Sequence, residues 1–140
     1  MVGNNTPVFF IRDPVKFPDF IHTQKKTPQS NTGCATQAWD FWSLVPESTH
    51  QVTILMSDRG TPDGYRKMNG YSSHTFRWVN ARGEAHWVKL HFKTKSGIKN
   101  FTWDEAMELF KDPDYATSDL FNHIKEKGTA EWDLFIQAIP

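Results

Sequence analysis

The chain has 140 residues, with 16 basic side chains against 16 acidic ones, six histidines and a single cysteine, Cys34. That length is typical of one globular unit. No stretch approaches the roughly 20 apolar residues of a membrane-spanning helix, and the N-terminus lacks the charged-then-apolar run of a secretory signal, so no membrane partner is expected. Zero formal charge argues against a nucleic-acid partner, which selects a basic surface. One cysteine excludes an internal disulfide and fits a cytosol-like compartment. What stands out is the aromatic content, 11 Phe and 6 Trp, which points to a core or pocket walled by flat rings.

No repeat, low-complexity tract or internal boundary interrupts the chain, so residues 1–140 are read as one unit. The run Pro7-Val8-Phe9-Phe10-Ile11-Arg12 is predicted as a strand. Asp13-Pro14 then opens a short helix with Phe17, Phe20 and Ile21 on one face. Residues 24–36 are polar, contain Pro28, Asn31 and Gly33, and read as a surface loop. The segment Ala38-Trp39-Asp40-Phe41-Trp42 is too aromatic on all sides to be exposed. Pro46 opens a second helix, predicted to run to about Gly60, with His50, Ile54 and Ser57 on one stripe. Turn signals at Thr61-Pro62-Asp63-Gly64 and Asn69-Gly70 bracket a compact loop.

Residues 73–80 and 84–94 are predicted as a β-hairpin joined through Ala81-Arg82-Gly83. Thr102-Trp103-Asp104-Glu105 is a capping box ahead of a short helix, and residues 118–127 form another helix stopped by Gly128. Trp132–Ile139 alternates as a final strand. An apolar strand at each end leaves sheet edges without continuation, which invites aggregation unless they are covered. The sheet is therefore expected to need strands that these residues do not supply.

Generic catalytic signatures are absent. His86 and His91 are five apart on one strand and face opposite ways, His22 and His123 have no partner at helical spacing, and Cys34 has no neighbouring base, so scattered histidines and an ordinary loop cysteine are the preferred reading. The second hairpin strand says more. Trp87, Lys89, His91 and Lys93 share one face, and the His91–Lys93 pair suits a phosphate, with Arg59 as a possible third member. Asn4 and Asn5, just ahead of aromatic residues, could orient a small polar ligand, although a turn before a core strand is the plainer explanation.

Taken together, Val2-Gly3-Asn4-Asn5-Thr6-Pro7-Val8-Phe9-Phe10-Ile11-Arg12-Asp13, Phe17-Pro18-Asp19-Phe20-Ile21-His22, Trp39-Asp40-Phe41-Trp42-Ser43, Pro46-Glu47-Ser48 and Met68-Asn69-Gly70-Tyr71 resemble the haem-dependent monofunctional catalases. The resemblance continues through Ser73-His74-Thr75-Phe76, Gly97-Ile98-Lys99-Asn100 and Asp112-Pro113-Asp114-Tyr115. It covers essentially the whole chain. It implies an α+β fold, part of the antiparallel β-barrel of that family with intervening helices. The implied reaction converts two hydrogen peroxides to oxygen and water at haem b, and the complete protein is expected to be a homotetramer in the cytoplasm, or in a peroxisome if eukaryotic.

By the same resemblance, Asn4 matches the asparagine that hydrogen-bonds peroxide. Phe9, Phe10 and Phe17 match the rings that keep the distal haem pocket dry, Val2 the side chain that narrows its access channel, and His74 a member of the network behind the proximal ligand. His50, Ser57, Arg59, Asn69, Tyr71, His91 and Lys93 match the residues with which NADPH-binding members hold that cofactor. Departures from the family pattern are Ile54 in place of an aromatic ring, Val45 in place of arginine, Lys67 in place of histidine, and residues 32–36. The distal histidine and the iron-ligating tyrosine of the family are expected upstream of Met1 and downstream of Pro140, so these residues are read as an internal segment, inactive alone. The competing reading is a stand-alone, non-enzymatic nucleotide-binding or assembly module derived from the same barrel.

Overall fold

The computed structural model describes residues 3–140. They form two compact units, Val8–Met56 and a second comprising the residues up to Pro7 together with Ser57–Pro140.

The second unit is built on a five-stranded antiparallel sheet. Its strands are β1 (Gly3–Asn4), β2 (Gly70–Ser72), β3 (Phe76–Val79), β4 (Ala85–Thr94) and β5 (Trp132–Ile139). The ten-residue β4 is the spine. β3 pairs with its first half, Phe76 opposite Val88, and β2 with its second, Tyr71 opposite His91, while β5 runs along the other edge from Trp87–Ile139 to Thr94–Trp132. β1 extends the sheet beyond β2, placing Asn4 opposite Tyr71. The period of two sorts the residues as the sequence predicts. Val88, Leu90 and Phe92 lie opposite Ala138, Ile136 and Leu134 on an apolar face, and Lys89, His91 and Lys93 lie on the other. The sheet does not close into a barrel within these residues, and β5 has no partner on its outer edge among the described residues.

The hairpin connection forms as expected. Gly83 takes φ +84°, where a Cβ would strain the backbone, and the Asn80 carboxamide oxygen accepts from the Arg82 and Glu84 amides. Two further helices complete this unit, α4 (Trp103–Leu109) and α5 (Tyr115–Lys127). Thr102 and Glu105 make the reciprocal capping box, and Gly128 ends α5 in the left-handed conformation. An ion pair holds α5 against the turn ahead of β2. The Arg66 guanidinium grips Asp119 through Nε and Nη2 at 2.8 and 2.7 Å, with both side chains largely buried.

The Val8–Met56 unit packs three helices, α1 (Phe17–Thr23), α2 (Ala35–Leu44) and α3 (Pro46–Leu55), around aromatic rings. Phe20, only 6% exposed, is the hub, with the rings of Phe9, Phe10, Phe17 and Phe41 between 4.7 and 6.2 Å from its own. Ser48, fully buried, donates from its hydroxyl to the Phe10 carbonyl and so fixes the segment ahead of α1.

Three sequence expectations change. Residues 7–12 form no strand, because successive residues of a strand face opposite ways whereas Phe9 and Phe10 both pack on Phe20. α3 stops at Leu55 rather than near Gly60, because Ser57 turns extended and its hydroxyl accepts from the Arg59 amide, capping a separate 3-10 turn, Asp58–Gly60. Ser57 therefore leaves the helical stripe with His50. The aromatic segment at 38–42 lies on α2, where Trp39 is 49% exposed and only Ala38 is buried. Thr102–Glu105, Gly128 and Trp132–Ile139 stand where the sequence puts them.

Candidate functional site

The most developed cluster of chemistry lies on the polar face of the sheet, around Tyr71. β2 buries this residue, 3% exposed, and the register sets it across from His91, whose ring meets it edge-on at 5.3 Å. Two residues on, Lys93 reaches back over the Tyr71 ring, its Nζ 4.6 Å from the centroid, and donates to the phenol oxygen at 2.8 Å. Asn69 is held between two strands. Its Oδ1 accepts from the Thr94 amide at 3.0 Å, and its Nδ2 donates to the same phenol at 3.2 Å. Two donors fill the phenol's lone pairs and leave its own O–H to be given away.

Electrostatics follow from this arrangement. Burial opposes ionisation of Tyr71, but the hydrogen bonds from Lys93 and Asn69, with Arg59 and the Lys93 charge acting in the same direction, outweigh it and hold the phenol below a tyrosine's ordinary pKa. Among the described residues neither Arg59 nor Lys93 is in an ion pair. Asp133 lies opposite Lys93 on β5 and shares its face, yet the ammonium goes to the phenol. The His91 Nε2 is buried and has no hydrogen-bond partner among the described residues. A buried polar atom without a partner costs free energy unless something fills the place. Two unpaired cations, a phenol with a proton to give and an orphaned imidazole nitrogen suit a phosphate-bearing ligand.

The sheet thus brings together Asn69, Tyr71, His91 and Lys93 of the residues singled out from the sequence, with Arg59 near enough to act on the phenol. Ser57 acts on its own turn by capping Arg59, and His50 is exposed on α3 in the other unit. Asn4 is half-buried on β1 beside Tyr71, and its side-chain amide makes no hydrogen bond among the described residues. His74 lies exposed in the bend between β2 and β3. Phe9, Phe10 and Phe17 belong to the aromatic cluster of the helical unit, where Phe17 keeps 44% of its surface exposed. Val2 lies outside the described residues.

Sequence reasoning missed two supports. Asn5 donates from Nδ2 to the Arg59 carbonyl at 2.6 Å, and Lys89 donates to the Pro7 carbonyl at 2.6 Å. Both join residues more than fifty positions apart, and the only hint was the doubled asparagine. Among the described residues, no three His, Cys, Asp or Glu side chains converge as a metal centre.

The catalase family model matches residues 1–140. A catalase from the Onchocerca volvulus endobacterium is 62% identical over 138 residues, covering 98% of this chain and 29% of that protein. The peroxisomal catalase of Toxoplasma gondii is 59% identical over 141 positions, covering 100% of this chain and 28% of that protein. Among solved structures, catalase A from Saccharomyces cerevisiae superposes with a TM-score of 0.82 at 51% identity, over 98% of this chain and 29% of that one. The chain therefore spans under a third of the length of these relatives. On agreement that runs from one end to the other in both sequence and fold, this chain belongs to the catalase family.

Proposed function

We propose that these residues are a segment of a haem enzyme that dismutates hydrogen peroxide to oxygen and water, and that Asn4 is its contribution to the reacting site. The observation that carries the reading is 62% identity over 138 residues to a catalase. Asn4 has the chemistry for the role. It is half-buried, its backbone is fixed by pairing with Tyr71, and its amide is not engaged by a described residue. An N–H held by a sheet can donate to a peroxide oxygen without reorganising, which is how a fixed donor stabilises developing charge.

The residues present fit a flat apolar macrocycle, since Phe9, Phe10 and Phe17 belong to an interlocked set of rings of which Phe17 is substantially exposed. They would hold haem and keep water from it, with Val2 narrowing the approach and His74 supporting the far side. The iron ligand and the proton-accepting histidine would come from other parts of a catalase-length polypeptide. Haem, when bound, supplies the redox chemistry. The protein groups bind the peroxide, orient it and exclude competing water, which strengthens each polar interaction in the pocket.

The Tyr71 cluster is proposed as half of an NADPH site. Arg59, His91 and Lys93 would hold phosphates, with Asn69 and Tyr71 as neutral donors and Ser57 and His50 as further contacts. The complete protein would be a homotetramer, cytoplasmic or peroxisomal according to its source; no helix among the described residues is long and apolar enough to cross a membrane. The test is to purify the full-length protein, record haem absorbance and follow oxygen release from hydrogen peroxide. Oxygen evolution that scales with haem content is the expected result. A haem-loaded protein that releases none would overturn the reading.

A further inference from the structure

The Arg59 turn is anchored at its two ends, by local bonds at Ser57 and by a distant segment of chain at Thr61. The Ser57 hydroxyl accepts from the Arg59 amide, the Ser57 carbonyl accepts from the Gly60 amide at 2.8 Å, and Thr61 exchanges hydrogen bonds with Phe101 at 2.7 and 2.8 Å. None of these engages the Arg59 carbonyl itself. That is done by Asn5, whose Nδ2 takes the Arg59 carbonyl at 2.6 Å.

Asn5 is itself well placed for this. Its neighbour Asn4 is paired to Tyr71 in β1, Thr6 is 4% exposed, and the Pro7 carbonyl is taken by Lys89. The segment from residue 3 to residue 7 is thus tied to β2, to the Arg59 turn and to β4 in succession. An exposed arginine on a 3-10 turn has many rotamers, and its guanidinium acts on the Tyr71 phenol only if the turn is held at the right distance from β2. Asn5 sets that distance, because the residue before it is registered on β2 itself.

We propose that Asn5 is a positioning residue for the cofactor site, holding the Arg59 turn so that its guanidinium meets the phosphate of a bound nucleotide beside Tyr71 and Lys93. It touches no ligand and acts through Arg59. The inference rests on the proposed NADPH site.

A double-mutant cycle in the full-length haem-loaded protein tests it, with NADPH affinity read by fluorescence titration. Asn5→Ala and Asn5→Ser are both too short to reach the Arg59 carbonyl. Each is expected to weaken NADPH binding about tenfold when Arg59 is present and less than about twofold in an Arg59→Ala background. Equal losses in the two backgrounds, or no loss in the first, would overturn the positioning role while leaving the cofactor site standing. Failure of both variants to incorporate haem would also overturn it, by making Asn5 a folding residue. A wild-type protein that does not bind NADPH would overturn the cofactor reading, and the inference with it.

Discussion

Replacing Tyr115 by phenylalanine removes one hydrogen bond from a charged junction and leaves its ring in place. The Tyr115 hydroxyl donates to Asp63 Oδ1 at 2.8 Å, and Lys99 takes Oδ2 at 2.7 Å. The Asp63 amide also donates to the Lys99 carbonyl at 2.9 Å, and the Phe101 ring stands edge-on to Tyr115 at 5.8 Å. A hydrogen bond to a charged acceptor contributes about 1.5–3 kcal/mol. The low end applies, since Lys99 still satisfies the carboxylate and the junction is partly solvated. A loss of about 1.5 kcal/mol corresponds to roughly tenfold more frequent opening of the turn. Amide hydrogen exchange should therefore quicken about tenfold at Asp63 and Phe101 in Tyr115→Phe, with β4 and β5 unchanged. The pH dependence has a definite sign. The hydrogen bond to Asp63, then burial, push the phenol up to about 12 from its ordinary 10, so its contribution is complete below pH 10 and disappears as pH rises toward 12. Alkaline difference spectroscopy should show one late-ionising tyrosine in the wild type that is missing in the variant. Unchanged exchange in the turn, or acceleration spread evenly over the sheet, would refute this account of the junction.

Gly64 has φ +77°, and a Cβ there would meet Asp119 Oδ2 at 3.0 Å, so Gly64→Ala should cost about 1–3 kcal/mol and lower the denaturation midpoint; an unchanged midpoint would contradict the geometry. Phe20→Ala removes the ring on which Phe9, Phe10, Phe17 and Phe41 converge and should cost about 3–5 kcal/mol in the same assay. Lys93→Glu places a carboxylate against the Tyr71 phenol and opposite Asp133, and should abolish NADPH binding by fluorescence titration while leaving haem absorbance intact.

Where neighbouring residues decide the outcome, the fold was legible from the chain. The capping box at Thr102, the glycine stop at Gly128 and the alternation of Trp132–Ile139 all act within a few residues, and each reappears in the structure. The alternation of β4 likewise placed His91 and Lys93 on one face before any fold was known. The errors come from tertiary packing. Phe9 and Phe10 read as strand residues, but both turn toward one ring on α1, and nothing local announces that. Ser57 continues a helical stripe by spacing, yet its hydroxyl serves the backbone instead. For the site, the Arg59 carbonyl is held by Asn5, fifty-four positions away, and such a contact has no signature in a single sequence. The resemblance to catalases joined residues that pattern alone left separate.

The central claim is that this chain places Asn4 at the site of a peroxide-dismutating haem enzyme. Substituting Asn4→Ala in the full-length protein and measuring oxygen release per haem tests it most directly. Loss of a fixed hydrogen-bond donor to the reacting oxygen should lower turnover by about 10²-fold, with haem absorbance and NADPH affinity unchanged. Turnover per haem equal to that of the wild type would contradict the claim.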